Sequence, residues 1–344
     1  MKCHILYKFR TGPWGGANQF LKALKKNLEI RECYSKSMSK ADVVLCNLNP
    51  AIFMEILTAV RVFGKKHDRP RLIVRIDGPV SGIRGTDNEM DRLFIDFINI
   101  AADGVLFQSE WSRQKLAEIA KIVTVNSRVI TNAPDKKFFN KSPAHPGDNQ
   151  KIRLIANSWS PNPNKGFEVY KYLDDVLDFS KYEFTFIGNS PVEFKNIKHI
   201  KPLDSKKLAK ELKQHHIYIT ASRKDPCSNS LIEALHCGLP AIAYNDGGHP
   251  EIIGKGGRIF ELPEEIPFLL EDIAAKYQDY FSGINLLDID NVTDEYLKFF
   301  SQSMKSEIRQ LDDANAYEVL YTKVMQIYSQ KAITFMGKMK TLWK

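Results

Sequence analysis

The chain has 344 residues, too many for one ordinary hydrophobic core and enough for two α/β domains of roughly 150 residues each. Hydrophobic residues make up 43% and charged residues 26%, so composition indicates neither a disordered nor a fibrous chain. Net charge is +8 and uneven: residues 1–140 hold 23 Lys/Arg against 14 Asp/Glu, and the remainder holds 26 against 27. A basic first half suits nucleic acid, an anionic membrane or an anionic acceptor, and it equally suits a merely solvated basic face.

Residues 1–9 are too short and too polar for a signal peptide, and no stretch of about 18 apolar residues occurs. Five cysteines, Cys3, Cys33, Cys46, Cys227 and Cys237, form no C-x-x-C pair suited to zinc or redox work. The expectation is a cytoplasmic protein with reduced thiols. The sequon Asn291-Val292-Thr293 then carries no meaning, because glycosylation there requires a secretory environment.

Apolar runs alternate with helical patterns from the start. Cys3–Phe9, Val43–Leu45, Leu72–Ile76, Val105–Phe107 and Arg128–Ile130 are expected strands with helices between them, hence a parallel sheet. After the first run, Gly15 and Gly16 stand where strand turns into helix, and Phe20, Leu21, Leu24 and Leu28 fall at helical spacing. Free N–H groups there suit a phosphate or sugar oxygen, and Asn18 belongs to the same candidate donor-binding loop; a tight turn is the plain alternative. Residues 1–140 form the first domain. Residues 141–150, with two prolines and a glycine, form a linker.

A second series follows, at Arg153–Ala156, Phe184–Ile187, Ile217–Ala221, Ala241–Tyr244 and Arg258–Phe260. Residues 151–315 are therefore expected to form a second doubly wound unit. From about Thr293 the pattern is helical, and these helices are expected to clasp both domains, with 316–344 crossing back to the first. The Asp288-Ile289-Asp290 run has the Asp-x-Asp form of metal-dependent transferases but no strand series around it, so it reads as a turn and helix entry.

In open α/β sheets ligands bind beyond the carboxyl ends of the strands. Lys165, after the first strand of the second series, stands at a helix start where it could meet a diphosphate. The loop after Ile217–Ala221 is richer. Pro226 keeps Asp225 extended, Ser228-Asn229-Ser230-Leu231 opens a helix with free N–H groups, and Glu233 could accept two hydrogen bonds from a ribose diol. For either carboxylate alone, an acidic loop or a favourable helix-end charge is the bland alternative.

Asp225-x7-Glu233 followed by Ala234-Leu235-His236-Cys237-Gly238-Leu239-Pro240 resembles the Glu-x7-Glu signature of retaining GT-B glycosyltransferases, closest to glycosyltransferase family 4 (glycosyl transferases group 1). Gly15-Gly16, Val129-Ile130-Thr131-Asn132, Lys165-Gly166 and Gly247-Gly248-His249-Pro250-Glu251 resemble further motifs of that family in the same order. The resemblance implies two Rossmann-like domains facing a cleft, C-terminal helices, and a donor bound mainly by the second domain. Lys165 would bind the donor diphosphate, and backbone N–H groups around Asn229–Leu231, with Ser228 and Ser230, would hold phosphate and sugar. Glu233 would take the ribose, Asp225 the sugar hydroxyls, and Asp77 would stand near the reacting carbon, with Arg84 and Asp87 as acceptor contacts.

Three departures matter. Asp225 replaces the family's first Glu, Ser158-Trp159-Ser160-Pro161-Asn162 occupies the place of its usual arginine, and Ile76-Asp77-Gly78 replaces its frequent His-Asp. The resulting expectation is a nucleotide-sugar donor, a glycan or lipid-linked acceptor, retention, no metal and no other cofactor. The N-terminal charge and the basic, aromatic tail 337–344 suggest peripheral contact with an anionic membrane or a charged glycan. No RNA motif or recognition-helix pattern accompanies the charge, so nucleic acid is not an expected partner. The rivals are a non-catalytic nucleotide-sugar-binding module and a sugar-nucleotide epimerase on the same fold.

Overall fold

A computed structural model describes residues 1–12, 15–63, 69–84, 88–123, 126–141, 151–308, 315 and 317–329. The first domain runs β1 (Cys3–Leu6), α1 (Gly16–Ile30), β2 (Val43–Asn47), α2 (Phe53–Phe63), β3 (Arg71–Ile76), α3 (Val80–Arg84), α4 (Asn88–Ala101), β4 (Gly104–Phe107), α5 (Glu110–Ile119) and β5 (Ser127–Val129). All its strands pair in parallel, in the order β1-β2-β3-β4-β5. β2, β3 and β4 are buried throughout, and apart from Arg71 and Arg75 in β3 and Asn47 at the end of β2 they read apolar, as a sheet covered on both sides requires.

An isolated parallel bridge between Cys3 and Tyr34 lies on the other edge of β1 from β2. The chain therefore leaves β1 in one direction, touches the sheet at Tyr34, and returns past β1 to start β2. That reversal sends α1 to one face and α2 with α4 to the other. One core gathers Phe53, Ile56, Phe94 and Phe97 under the sheet; the other gathers Phe20, Leu21, Leu24 and Leu28 above it.

The second domain runs β6 (Ile152–Ser158), α6 (Phe167–Val176), β7 (Tyr182–Gly188), β8 (Lys198–Ile200), α7 (Ser205–Leu212), β9 (Ile217–Thr220), α8 (Asn229–His236), β10 (Ala241–Tyr244), α9 (His249–Ile253) and β11 (Gly257–Phe260), followed by α10 (Ile266–Ala275), α11 (Tyr277–Gly283) and α12 (Ile289–Lys305). Its parallel order is β11-β10-β9-β6-β7-β8. Order reverses between β6 and β9, so the loops after those two strands flank the switch crevice where ligands of such sheets bind. The doubly wound expectation holds for both sheets.

Two boundaries differ from the sequence reading. β8 escaped it because Lys198-His199-Ile200 is a short edge strand with one apolar residue. α12 begins at Ile289, ahead of Thr293, because Asp288 is its N-cap and accepts the Asn291 N–H at 2.9 Å. Asp290 accepts from Asn27 at 2.6 Å and also bonds Lys136. The Asp-x-Asp run is thus a cap and a tether.

α12 packs on the first domain, where Tyr296, Phe299 and Phe300 join the α1 core. Residues 317–329 are helical and add Tyr317, Leu320 and Val324 to the opposite core. The return to the first domain thus begins at α12, among the helices from about Thr293 expected to clasp both domains, because α12 carries the apolar face that covers α1. Residues 142–150 of the linker and 330–344 of the tail lie outside the described residues. No helix among the described residues is long and apolar enough to cross a membrane.

Phe299 is 3% exposed and its ring fills the space over Gly104. Phe299→Ala is expected to cost about 3–5 kcal/mol through lost burial and the cavity left behind. Urea denaturation should show the lowered midpoint; a loss under about 1 kcal/mol would mean that α12 is dispensable to the first domain.

Candidate active site

Two helices from different domains begin at one place. α1 has Gly15 as N-cap and α8 has Ser228, and neither N-cap side chain bonds the helix it starts. The first-turn N–H groups that a helix cannot satisfy internally therefore remain for a ligand at both ends, with the partial positive charge of both dipoles. The approach is close enough that a Cβ on Gly16 would lie 2.0 Å from Asn229 Nδ2. Only glycine fits there.

Lys165 ends a 3₁₀ turn, Pro163–Lys165, whose N-cap Asn162 accepts the Asn164 N–H. Gly166 follows at φ 70°, and a Cβ on it would lie 2.3 Å from the Ala221 carbonyl oxygen. That contact between the β6 and β9 loops carries Lys165 to Asp225, with Nζ 2.9 Å from Oδ2. Burial works against the charge on Asp225, but the Lys165 ammonium outweighs it, with help from His249 and the Cys227 N–H, and holds the carboxyl below its usual range.

Glu233 lies one turn into α8. Gly15, Gly16, Lys165, Asp225, Asn229, Ser230 and Glu233 all line one cavity of about 310 Å³. Among the described residues no cation compensates Glu233, and burial pushes its carboxyl from 4.5 to about 8. The remaining donor-binding candidates fall differently. Ser228 is buried, with Oγ 3.2 Å from Ser230 Oγ, and the Leu231 side chain belongs to the core, leaving only its backbone near the ligand space. Asn18 does not line the cavity: its amide accepts the Arg10 N–H at 3.0 Å and donates to the Arg10 carbonyl at 3.1 Å. It shapes the loop after β1 instead, because a buried amide takes the nearest open backbone groups.

An adjoining cavity of about 410 Å³ shares Gly15, Gly16, Lys165, Asp225 and Asn229 and adds Asp77, Asn49, Gln108 and Lys224. Asp77 and Asp225 thus face one space from opposite domains. The Asp77 carboxylate accepts from Arg75 Nη1 and Gln108 Nε2, both at 2.5 Å, and more weakly from Asn47 at 3.4 Å. Asp87 and the Arg84 side chain lie outside the described residues.

Arg75 was not singled out from the sequence. It is fully buried, bonds Asn47, Asp77 and Asn132, and lies 4.9 Å from the Phe20 ring centroid. Asn132 continues the chain of bonds, donating to Gln108 at 2.7 Å and to Asn229 of the second domain at 3.1 Å. The signal was present: an arginine well inside a largely apolar strand must find partners.

The model of the family described as "Glycosyl transferases group 1" matches residues 192–273, the stretch that contains the Asp225 loop and α8. The solved structure of HepE from Anabaena in complex with UDP and glucose has a TM-score of 0.68 at 14% identity and covers 88% of this chain and 100% of that one. Sucrose-phosphate synthase from Thermosynechococcus elongatus has a TM-score of 0.56 at 13% identity, covering 95% and 83%. The pneumococcal O-GlcNAc transferase GtfA in complex with UDP and GlcNAc has a TM-score of 0.56 at 16% identity, covering 85% and 61%. The fold is that of GT-B glycosyltransferases. A curated relative, an uncharacterized 41.2 kDa protein in the cps region of Klebsiella pneumoniae, is 23% identical over 165 residues, 46% of this chain and 42% of that protein. The chain thus matches less than half the length of that relative.

Its raised carboxyl makes Glu233 a stability probe. Its carboxyl is raised from 4.5 to about 8 on folding, so the folded state retains a proton that the unfolded chain releases, and Glu233 destabilises the fold increasingly as pH rises across that interval. Glu233→Gln should melt with the parent near pH 4.5, gain on it between there and about pH 8, and hold a constant lead above. Thermal melting across pH reads this; a lead that shrinks with rising pH means Glu233 has a cationic partner.

Proposed function

We propose that the protein transfers a sugar from a nucleotide-sugar donor to a hydroxyl of a glycan or lipid-linked acceptor, with retention of configuration and without a metal ion. The observation that carries this reading is the convergence of two uncapped helix starts, at Gly16 and Asn229, on Lys165 between two carboxylates. That arrangement suits a diphosphate that gains charge as it leaves, which preorganised N–H donors and a cation stabilise. The family match over 192–273 and the UDP and sugar complexes among the similar folds support the same reading.

In the reaction so read, the glycosyl–phosphate bond breaks, its electron pair passes to the phosphate, and the acceptor oxygen bonds the freed carbon while its hydroxyl proton passes to the departing phosphate oxygen. Lys165 exchanges Asp225 for the diphosphate. Asp225, released from its ion pair, turns to the sugar hydroxyls, and Asp77, fixed by Arg75 and Gln108, lends negative charge to the cationic ring. Glu233 takes the ribose hydroxyls. Donor arrival replaces the missing compensation at Glu233 with two hydrogen-bond donors. The excess of basic residues in the first domain suits contact with an anionic membrane or charged acceptor, a contact that added salt would weaken.

Loss of a charge-assisted hydrogen bond of about 1.5–3 kcal/mol predicts that Lys165→Ala weakens UDP binding roughly tenfold to a hundredfold and leaves uridine binding almost unchanged. Calorimetry with both ligands tests it, and equal losses for the two remove Lys165 from the diphosphate. The carboxylates should fail differently in steady-state kinetics. Asp225→Asn should lower kcat more than it raises donor KM, because its contact strengthens as ring charge develops; Glu233→Gln should chiefly raise donor KM. Wild-type kcat in Asp225→Asn would leave Asp225 a loop residue only.

A further inference from the structure

The carboxylate of Glu251 leaves its own domain. Its Oε2 accepts the Glu110 N–H and its Oε1 the Trp111 N–H, both at 2.8 Å. These are the first two residues of α5, in the first domain, whose N-cap Ser109 already accepts the Ser112 N–H. A helix start offers unsatisfied donors and partial positive charge, so a carboxylate that takes two of its N–H groups is well placed. Both oxygens of Glu251 are thereby engaged across the domain boundary.

That contact is tied to the cleft by one short turn. Gly248, the N-cap of α9, donates its N–H to the Asp225 carbonyl at 2.9 Å. The Asp246 carboxylate accepts from the N–H groups of Lys224 and Gly247, at 2.8 and 2.7 Å. Gly248 also stands beside Ser109, and Pro226, next to Asp225, packs on Gly78, next to Asp77. The grip on α5 and the two facing aspartates therefore belong to one set of contacts.

We propose that Glu251 is a positioning residue, latching the second domain onto α5 of the first and so setting the separation of Asp225 from Asp77 across the cleft. The roles of the two aspartates rest on the functional reading above; the latch does not. It accounts for a side chain in the Gly247–Glu251 segment whose hydrogen-bond partners among the described residues are both in the other domain.

Variants on both sides of the boundary test it. Glu251→Ala removes the acceptor. Glu110→Pro removes one of the two donors without touching the second domain. Position 110 is the first of α5, where proline is tolerated, and Ser109 is already extended at φ −156° and ψ 159°, as a residue before proline should be. Amide exchange at Trp111 should rise at least tenfold in Glu251→Ala. A pair of spin labels, one on each domain, should report longer or broader distances in both variants, and Glu251→Gln, which keeps one acceptor oxygen, should fall between parent and Glu251→Ala. UDP affinity should stay within threefold of the parent, because its proposed contacts lie mainly in the second domain. An unchanged distance distribution in either variant, with native circular dichroism, overturns the latch, as does faster exchange confined to residues 249–253. Failure of the parent to bind UDP would instead count against the functional reading, while exchange and distance would still decide the latch.

Discussion

The structure turns on a shared requirement of two helices. α1 and α8 each begin with N–H groups that no residue of their own helix can accept, and they begin within contact distance, in different domains. Bringing two positive helix ends together is favourable only around an anion. The surrounding sequence serves that approach: glycine at 16 admits Asn229, Gly166 lets the Lys165 loop reach β9, and Pro226 keeps Asp225 off the helix. α12 holds α1 in place from behind through the Asn27–Asp290 bond and the Arg31–Asp294 pair.

A second constraint lies beneath the first. Arg75 carries a charge where no water reaches it, a placement that costs several kcal/mol unless partners surround the ion. Its partners are polar residues at or just beyond the strand ends: Asn47 at the end of β2, Asp77 after β3 and Asn132 after β5. One buried cation thus gathers the carboxyl ends of three strands and presents Asp77 to the cleft. The same network reaches Asn229 through Asn132, so the polar interior of the first domain and the ligand-facing helix start of the second are continuous.

Much of this was legible before any tertiary contact was known. Alternating apolar runs such as Val43–Leu45 and Ile217–Ala221 mark parallel strands because a sheet covered on both faces must be apolar on both. Gly15-Gly16, Lys165, Asp225 and Glu233 stood out because they follow strands directly, where such sheets bind ligands. Asn18 shared that position and yet turned inward to Arg10. Position along the chain identifies a loop; it does not say which side chains the loop keeps for itself. β8 and the early start of α12 were missed because an edge strand needs few apolar residues and a single cap can move a helix end.

The sequence by itself determined the two doubly wound domains, the loops that carry the chemistry and the residue types available there, because strand and helix periodicities and turn residues act over a few positions. Only the tertiary structure decided which of those residues meet. Asn132 and Asn229 are 97 positions apart, and Glu251 and Glu110 are 141 apart. A hydrogen-bond partner is fixed by where two separately folded units come to rest, and no local pattern encodes that distance.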